Sequence, residues 1–136
     1  DFKELEEMLS FFFFLNKPVL LRYPRGEELY NFEKMEKVEL GKAELLQKGK
    51  DITIIAIGKM VFRACEVARK LEKSGIEATI INARFLKPFD ENILLKNISN
   101  NIITIEDGTE IGGLGDKVQK ILNQNNILKI SNKKSG

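Results

Sequence analysis

The sequence predicts an α/β protein, a three-layer α/β/α sandwich around a mostly parallel sheet, and three observations carry that reading. Residues 51–58 (DITIIAIG) are a nearly continuous β-branched run of the kind buried on both faces of a parallel sheet, and residues 76–83 (IEATIINA) read as the next strand. Between them Val61, Ala64, Cys65, Ala68 and Leu71 recur at helical spacing. A third run, residues 101–106 (NIITIE), follows another short helical stretch. Strand, helix and strand units of this length require right-handed crossovers, with helices covering both faces of the sheet.

Taken in order, the chain opens with Leu5, Met8, Leu9, Phe12 and Leu15 at helical spacing, an amphipathic helix over about residues 2–15 that Pro18 ends. Residues 18–23 read as a short buried strand. Pro24 and Gly26 break it, and the charged stretch that follows has little apolar periodicity, as a linker does. The expected division is therefore 1–26 as the end of a preceding domain, 27–37 as linker and 38–136 as the main domain. Within the last, Gly58 closes the first long strand and Gly75 stops the helix after it. Pro88 marks a helix start with Asp90 near its N-terminus, and that helix runs to about Asn97. The third strand leads into a loop holding Gly108, Gly112, Gly113 and Gly115. Leu114, Val118, Ile121 and Leu122 form the buried face of the last helix, and residues 127–130 read as a final short strand. The Phe11 to Phe14 run belongs to a helix interior, and the Asn/Lys/Ser tail is expected to fray.

Composition narrows the function. At 136 residues, 43% of them hydrophobic and 31% charged, the chain is the size of one ordinary globular domain with one core. A net charge of +2 is too small to point to nucleic acid or an anionic membrane. One cysteine forms no internal disulfide, and a chain without histidine holds neither a histidine zinc site nor a nucleophile activated by histidine. The longest pure apolar run, Phe11 to Leu15, is far short of the roughly 20 residues that cross a bilayer. The first residues are acidic, so no signal peptide is expected. The chain begins with Asp1 and not methionine, which suggests a fragment, a processed product or a recombinant piece, and a missing partner domain is expected.

Four stretches, in order, resemble one family. Arg22-Tyr23-Pro24-Arg25-Gly26 (RYPRG), residues 41–61, residues 82–90 (NARFLKPFD) and residues 104–115 (TIEDGTEIGGLG) are similar to the final third of 1-deoxy-D-xylulose-5-phosphate synthases. The second and fourth are also similar to transketolases and to the beta subunits of 2-oxo-acid dehydrogenases. They therefore specify only the shared C-terminal domain, whereas RYPRG with NARFLKP singles out the synthase. The resemblance implies a transketolase C-terminal-domain-like fold and a cytoplasmic or plastid homodimer. It also implies that thiamine diphosphate and Mg2+ are bound outside this chain, and that pyruvate and glyceraldehyde 3-phosphate are the parent's substrates. After Leu128 the tail ISNKKSG departs from the family pattern.

Arg25 matches the arginine that the family places on the substrate phosphate. A guanidinium suits that task because it donates two hydrogen bonds and stays charged. Arg22 is a weaker candidate for the same phosphate, against a structural ion pair or a cover over the linker, and Tyr23 is expected to pack. Residues 112–115 (GGLG) before a helix could bind phosphate through backbone amides, but G-x-G-x-x-G is incomplete and a tight strand-to-helix connection is the simpler reading, as it is at Gly58. Glu106 and Asp107 stand at a strand's C-terminal end, where two carboxylates could share a proton. Loop capping or an interdomain hydrogen bond is preferred for them. Cys65 reads as a small core residue. Asn97-Ile98-Ser99 fits a glycosylation acceptor, a match without meaning in an intracellular chain. A transketolase or dehydrogenase subunit, or a stand-alone interaction domain, remains the alternative.

Overall fold

The computed structural model describes residues 2–23, 36–108 and 111–127. In chain order the elements are α1 (Phe2–Phe14), β1 (Glu44–Gln47), β2 (Ile52–Ala56), α2 (Met60–Glu72), β3 (Ala78–Asn82), α3 (Glu91–Asn97), β4 (Ile102–Ile105) and α4 (Leu114–Gln124). The strands lie in the order β1-β3-β2-β4. β2 runs parallel to β3 and to β4, and β1 closes one edge antiparallel to β3.

Side chains alternate across the sheet, so neighbours in one strand feed different layers. Ile55 and Ile81 pack with Leu94 of α3 and with Leu114, Val118, Ile121 and Leu122 of α4. Ile54, Ala56 and Ile80 meet Val61, Ala64 and Ala68 of α2 on the opposite face. The alanines let α2 approach the sheet closely, and the aliphatic side chains each contribute about 1.5–3 kcal/mol on burial. Three layers result, as the spacing predicts.

Local signals set the boundaries. At the end of α2 the Ile76 amide donates to the Leu71 carbonyl (3.1 Å) and the Gly75 amide to that of Glu72 (2.9 Å). That reversal needs a left-handed residue, and Gly75 has φ +78°. Asp90 caps α3 by accepting the Ile93 amide (3.2 Å), while its other oxygen accepts the Ala43 amide (3.2 Å), tying the start of β1 to the helix. The buried Thr53 hydroxyl donates to the Asn97 carbonyl (2.9 Å) and accepts the Ser99 amide (2.9 Å), which fixes the α3 to β4 turn onto β2.

Two sequence expectations are corrected here. Residues 18–23 form no strand: extended backbone needs a neighbour for its amides and carbonyls, none of the described strands lies beside it, and Leu20 stays exposed. β1 was not anticipated as a strand, because it is four residues long and carries a buried glutamate, Glu44, instead of an apolar run. Of the expected last strand, Ile127 follows α4 without strand structure and packs against the core, and residues 128–130 lie outside the described residues.

Candidate functional site

Ala56 stands opposite Asn82 in one register and opposite Ile105 in the other, so the three parallel strands end together. That carboxyl edge is where open α/β sheets take their ligands. The opening segment of the chain reaches it at two places, with Glu4 of α1 beyond β3 and Arg22 beyond β4.

At the first place, Arg84 is buried with a left-handed backbone, φ 52°, uncommon for a long side chain. Its Nε donates to Glu4 Oε1 (2.8 Å), and its Nη2 donates to Glu44 Oε2 (2.7 Å) and to the Glu36 carbonyl (2.9 Å). Asn82 Nδ2 donates to the same Glu4 oxygen (2.8 Å), and the Glu36 amide donates to Glu44 Oε1 (2.8 Å). Two carboxylates thus face one guanidinium whose side chain is 1% exposed. Charges taken out of water persist only when paired and hydrogen-bonded in this way. Around them Met8, Val38 and Phe85 form a small apolar cluster, with Phe12 edge-on to Phe85 at 6.1 Å.

At the second place, Glu106 accepts the amides of Leu114 (2.9 Å) and Gly115 (3.1 Å), capping α4 with a carboxylate. A Cβ at Gly113 would stand 2.5 Å from Glu106 Oε2, so the glycine lets the carboxylate in. Asp107 pairs with Lys59, the residue after Gly58. The Lys59 hydrogen bond and charge, helped by Arg22, hold the Asp107 carboxyl below its ordinary 3.8. Arg22 Nη2 donates to the Asp107 carbonyl (2.8 Å), and a Cβ on Gly108 would lie 3.2 Å from Arg22 Nη1.

These contacts sort the candidates. Arg22 reaches the loop after β4, where one of its guanidinium nitrogens donates to a backbone carbonyl. Arg25 lies outside the described residues. Tyr23 is mostly exposed, contrary to the packing expected of it, because no described sheet lies against its strand-like stretch. Glu106 is a capping group and Asp107 an ion-pair partner, so they do not form a proton-sharing pair. The α4 amides of the GGLG turn are taken by Glu106, which makes the turn a tight connection. Cys65 packs against the α2 side of the core, and burial pushes its thiol up despite Arg69. Sequence reasoning missed Arg84, Glu4, Glu44 and Lys59. An arginine between Ala83 and Phe85, inside an otherwise apolar stretch, was the available signal for the first.

Among the described residues no group of three or more acidic or cysteine side chains could hold a metal ion. Glu4, Glu44, Glu106, Asp90 and Asp107 are each committed to an arginine, a lysine or backbone amides. The described donors therefore do not fit a magnesium diphosphate group.

The transketolase C-terminal domain model matches residues 41–134. The 1-deoxy-D-xylulose-5-phosphate synthase of Halothermothrix orenii is 41% identical over 139 residues, covering 98% of this chain and 22% of that protein. The synthase of Aquifex aeolicus is 40% identical over 132 residues, 95% of this chain and 21% of that one. The chain thus spans about a fifth of the length of these relatives. A solved structure titled "Split gene transketolase, inactive beta4 tetramer" superposes with a TM-score of 0.65 at 34% identity, covering 72% of this chain and 33% of that one. With its sheet and its helices α2 to α4 inside the matched range, the chain belongs to the transketolase C-terminal domain family.

Proposed function

We propose that this chain is the closing portion of a thiamine-diphosphate-dependent 1-deoxy-D-xylulose-5-phosphate synthase, and that within it Arg25 binds the phosphate of the acceptor. The observation that carries the reading is 41% identity over 98% of the chain, which extends past the matched domain into the RYPRG segment. In the parent, pyruvate would lose carbon dioxide and its remaining two carbons would join the aldehyde carbon of glyceraldehyde 3-phosphate. The cofactor supplies the carbanion chemistry. This chain supplies no cofactor ligand, and its part is to hold the carboxyl edge together and to present an arginine to the acceptor. The parent would act as a homodimer in the cytoplasm, or in a plastid if eukaryotic.

Arg25→Ala in the full-length synthase tests the reading. A hydrogen bond to a charged group contributes about 1.5–3 kcal/mol, so kcat/KM for glyceraldehyde 3-phosphate should fall roughly 10- to 150-fold, with little change in pyruvate binding. Arg25→Lys should recover part of the loss, since a point charge lacks the two-pronged geometry. Equal losses with phosphorylated and unphosphorylated glyceraldehyde would overturn the assignment.

A second reading, a self-associating non-catalytic domain, has one observation in its favour. Phe13 and Phe14 of α1 are 88% and 84% exposed. Synthase activity in the full-length protein would exclude it.

A further inference from the structure

We infer that the outer face of α1 is the docking surface for the part of the same polypeptide that precedes it, so that the helix joins that part to the sheet domain; the inference rests on the closing-portion reading above. Successive residues of a helix point about 100° apart, so the run Phe11 to Phe14 spreads four rings over most of its circumference. A helix turn that is apolar all round is buried on more than one side. The sheet domain takes one side. Phe12 meets Phe85 edge-on at 6.1 Å, and Met8, the buried residue of α1, packs with Val38 and Phe85. Phe2, Leu9 and Phe13 recur at i, i+7 and i+11, a second stripe, and all three are exposed. Phe14 is exposed beside them, with its ring 5.9 Å from that of Phe13. The buried pair of Glu4 with Arg84 anchors the first face and so sets the rotation of α1 about its axis.

Area, charge and chain length select the occupant. The exposed parts of Phe2, Phe13 and Phe14 amount to roughly 350–550 Å², taking about 150–250 Å² for each aromatic side chain. Two free molecules need about 800 Å² each for a stable contact. Domains of one chain meet over less, about 600–1,500 Å² counted over both sides, because the tether raises their local concentration. Two copies packed through Phe13 about a two-fold axis would also bring their helix C-termini together, and α1 has no basic residue in its last turn to offset the negative ends of the two dipoles. α1 precedes the matched range 41–134 but falls within the alignment to the synthases, which covers 98% of the chain. About four fifths of the length of those relatives has no counterpart here. The fitting partner is therefore an apolar surface in cis that sets cations or amide donors at the C-terminal end of α1. Self-association of the isolated chain is the weaker substitute for it.

Photo-cross-linking in the full-length parent tests the inference. With p-benzoylphenylalanine in place of Phe13, irradiation should join that position to a peptide upstream of Asp1 in the same chain, in a yield independent of protein concentration. The same replacement at Phe14 should reach the same region, which covers the case in which the first variant folds poorly. The amides of α1 should also exchange at least about tenfold more slowly in the wild-type parent than in this chain. A cross-link to a second chain that grows with concentration, cross-links confined to residues 2–127, or equal exchange in parent and chain would each overturn the inference. Synthase turnover of the wild-type parent separates the two ideas. An inactive parent that still cross-links to its own upstream sequence sinks the synthase reading alone, and an active parent with cross-links only between chains sinks only the docking inference.

Discussion

Asp107 and Arg84 show how differently two charged residues at one sheet edge are used. Asp107 is exposed, and its ion pair with Lys59 is of the solvated kind that contributes little to stability. The pair still leaves a titration signature. A carboxyl whose pKa is lowered in the folded state stabilises above its ordinary value and loses that contribution as pH falls through the folded value. The Asp107 carboxyl should titrate below 3.8 by NMR, and Lys59→Met should return it towards 3.8, since Lys59 supplies the largest part of the effect. An unchanged titration in that variant would transfer the role to Arg22. Arg84, by contrast, is out of water and satisfied on every side, and among the described residues no buried side-chain nitrogen or oxygen lacks a partner. Its motif was visible as an arginine inside an apolar stretch, but not its partners, because they lie 40 and 80 residues away in the chain.

At the scale of the element, α1 has two faces with different fates. The face bearing Glu4, Met8 and Phe12 is docked, while Leu9, Phe13 and Phe14 stay exposed. An apolar patch of this kind marks an association surface. Sedimentation of this chain should show concentration-dependent association, and Phe13→Lys with Phe14→Lys should reduce it without altering the thermal unfolding of the sheet. Wild-type behaviour in the double variant would place the contact elsewhere. The helix itself was legible from spacing alone, and so were α2 and α4, whose apolar residues recur with one period; α3 was marked only by Pro88 and Asp90, and it starts at Glu91 with Asp90 as its cap, three residues past the proline. β1 was not legible. Its four residues owe their conformation to pairing with β3, and its first side chain is buried because Arg84 lies there to meet it.

For the whole molecule, every described carboxylate at the carboxyl edge already has a protein partner. Calorimetric titration of the chain with thiamine diphosphate and Mg2+ should therefore give no binding heat, and a micromolar affinity would remove the division of labour proposed here. The sequence by itself determined the α/β class, the three layers, the parallel strands β2, β3 and β4 and the core residues. Those follow from short-range periodicity and from the few ways such units can pack. It also carried the RYPRG and NARFLKPFD stretches on which the family resemblance rests. Only the tertiary structure decided that Arg22 is seated on the loop after β4, that Glu106 caps α4, that residues 18–23 form no strand, and that Arg84 gathers Glu4, Glu36 and Glu44. Each of these depends on which distant groups the folded chain brings within hydrogen-bond reach, and a charge or a short extended stretch has no periodicity that would reveal its partner in advance.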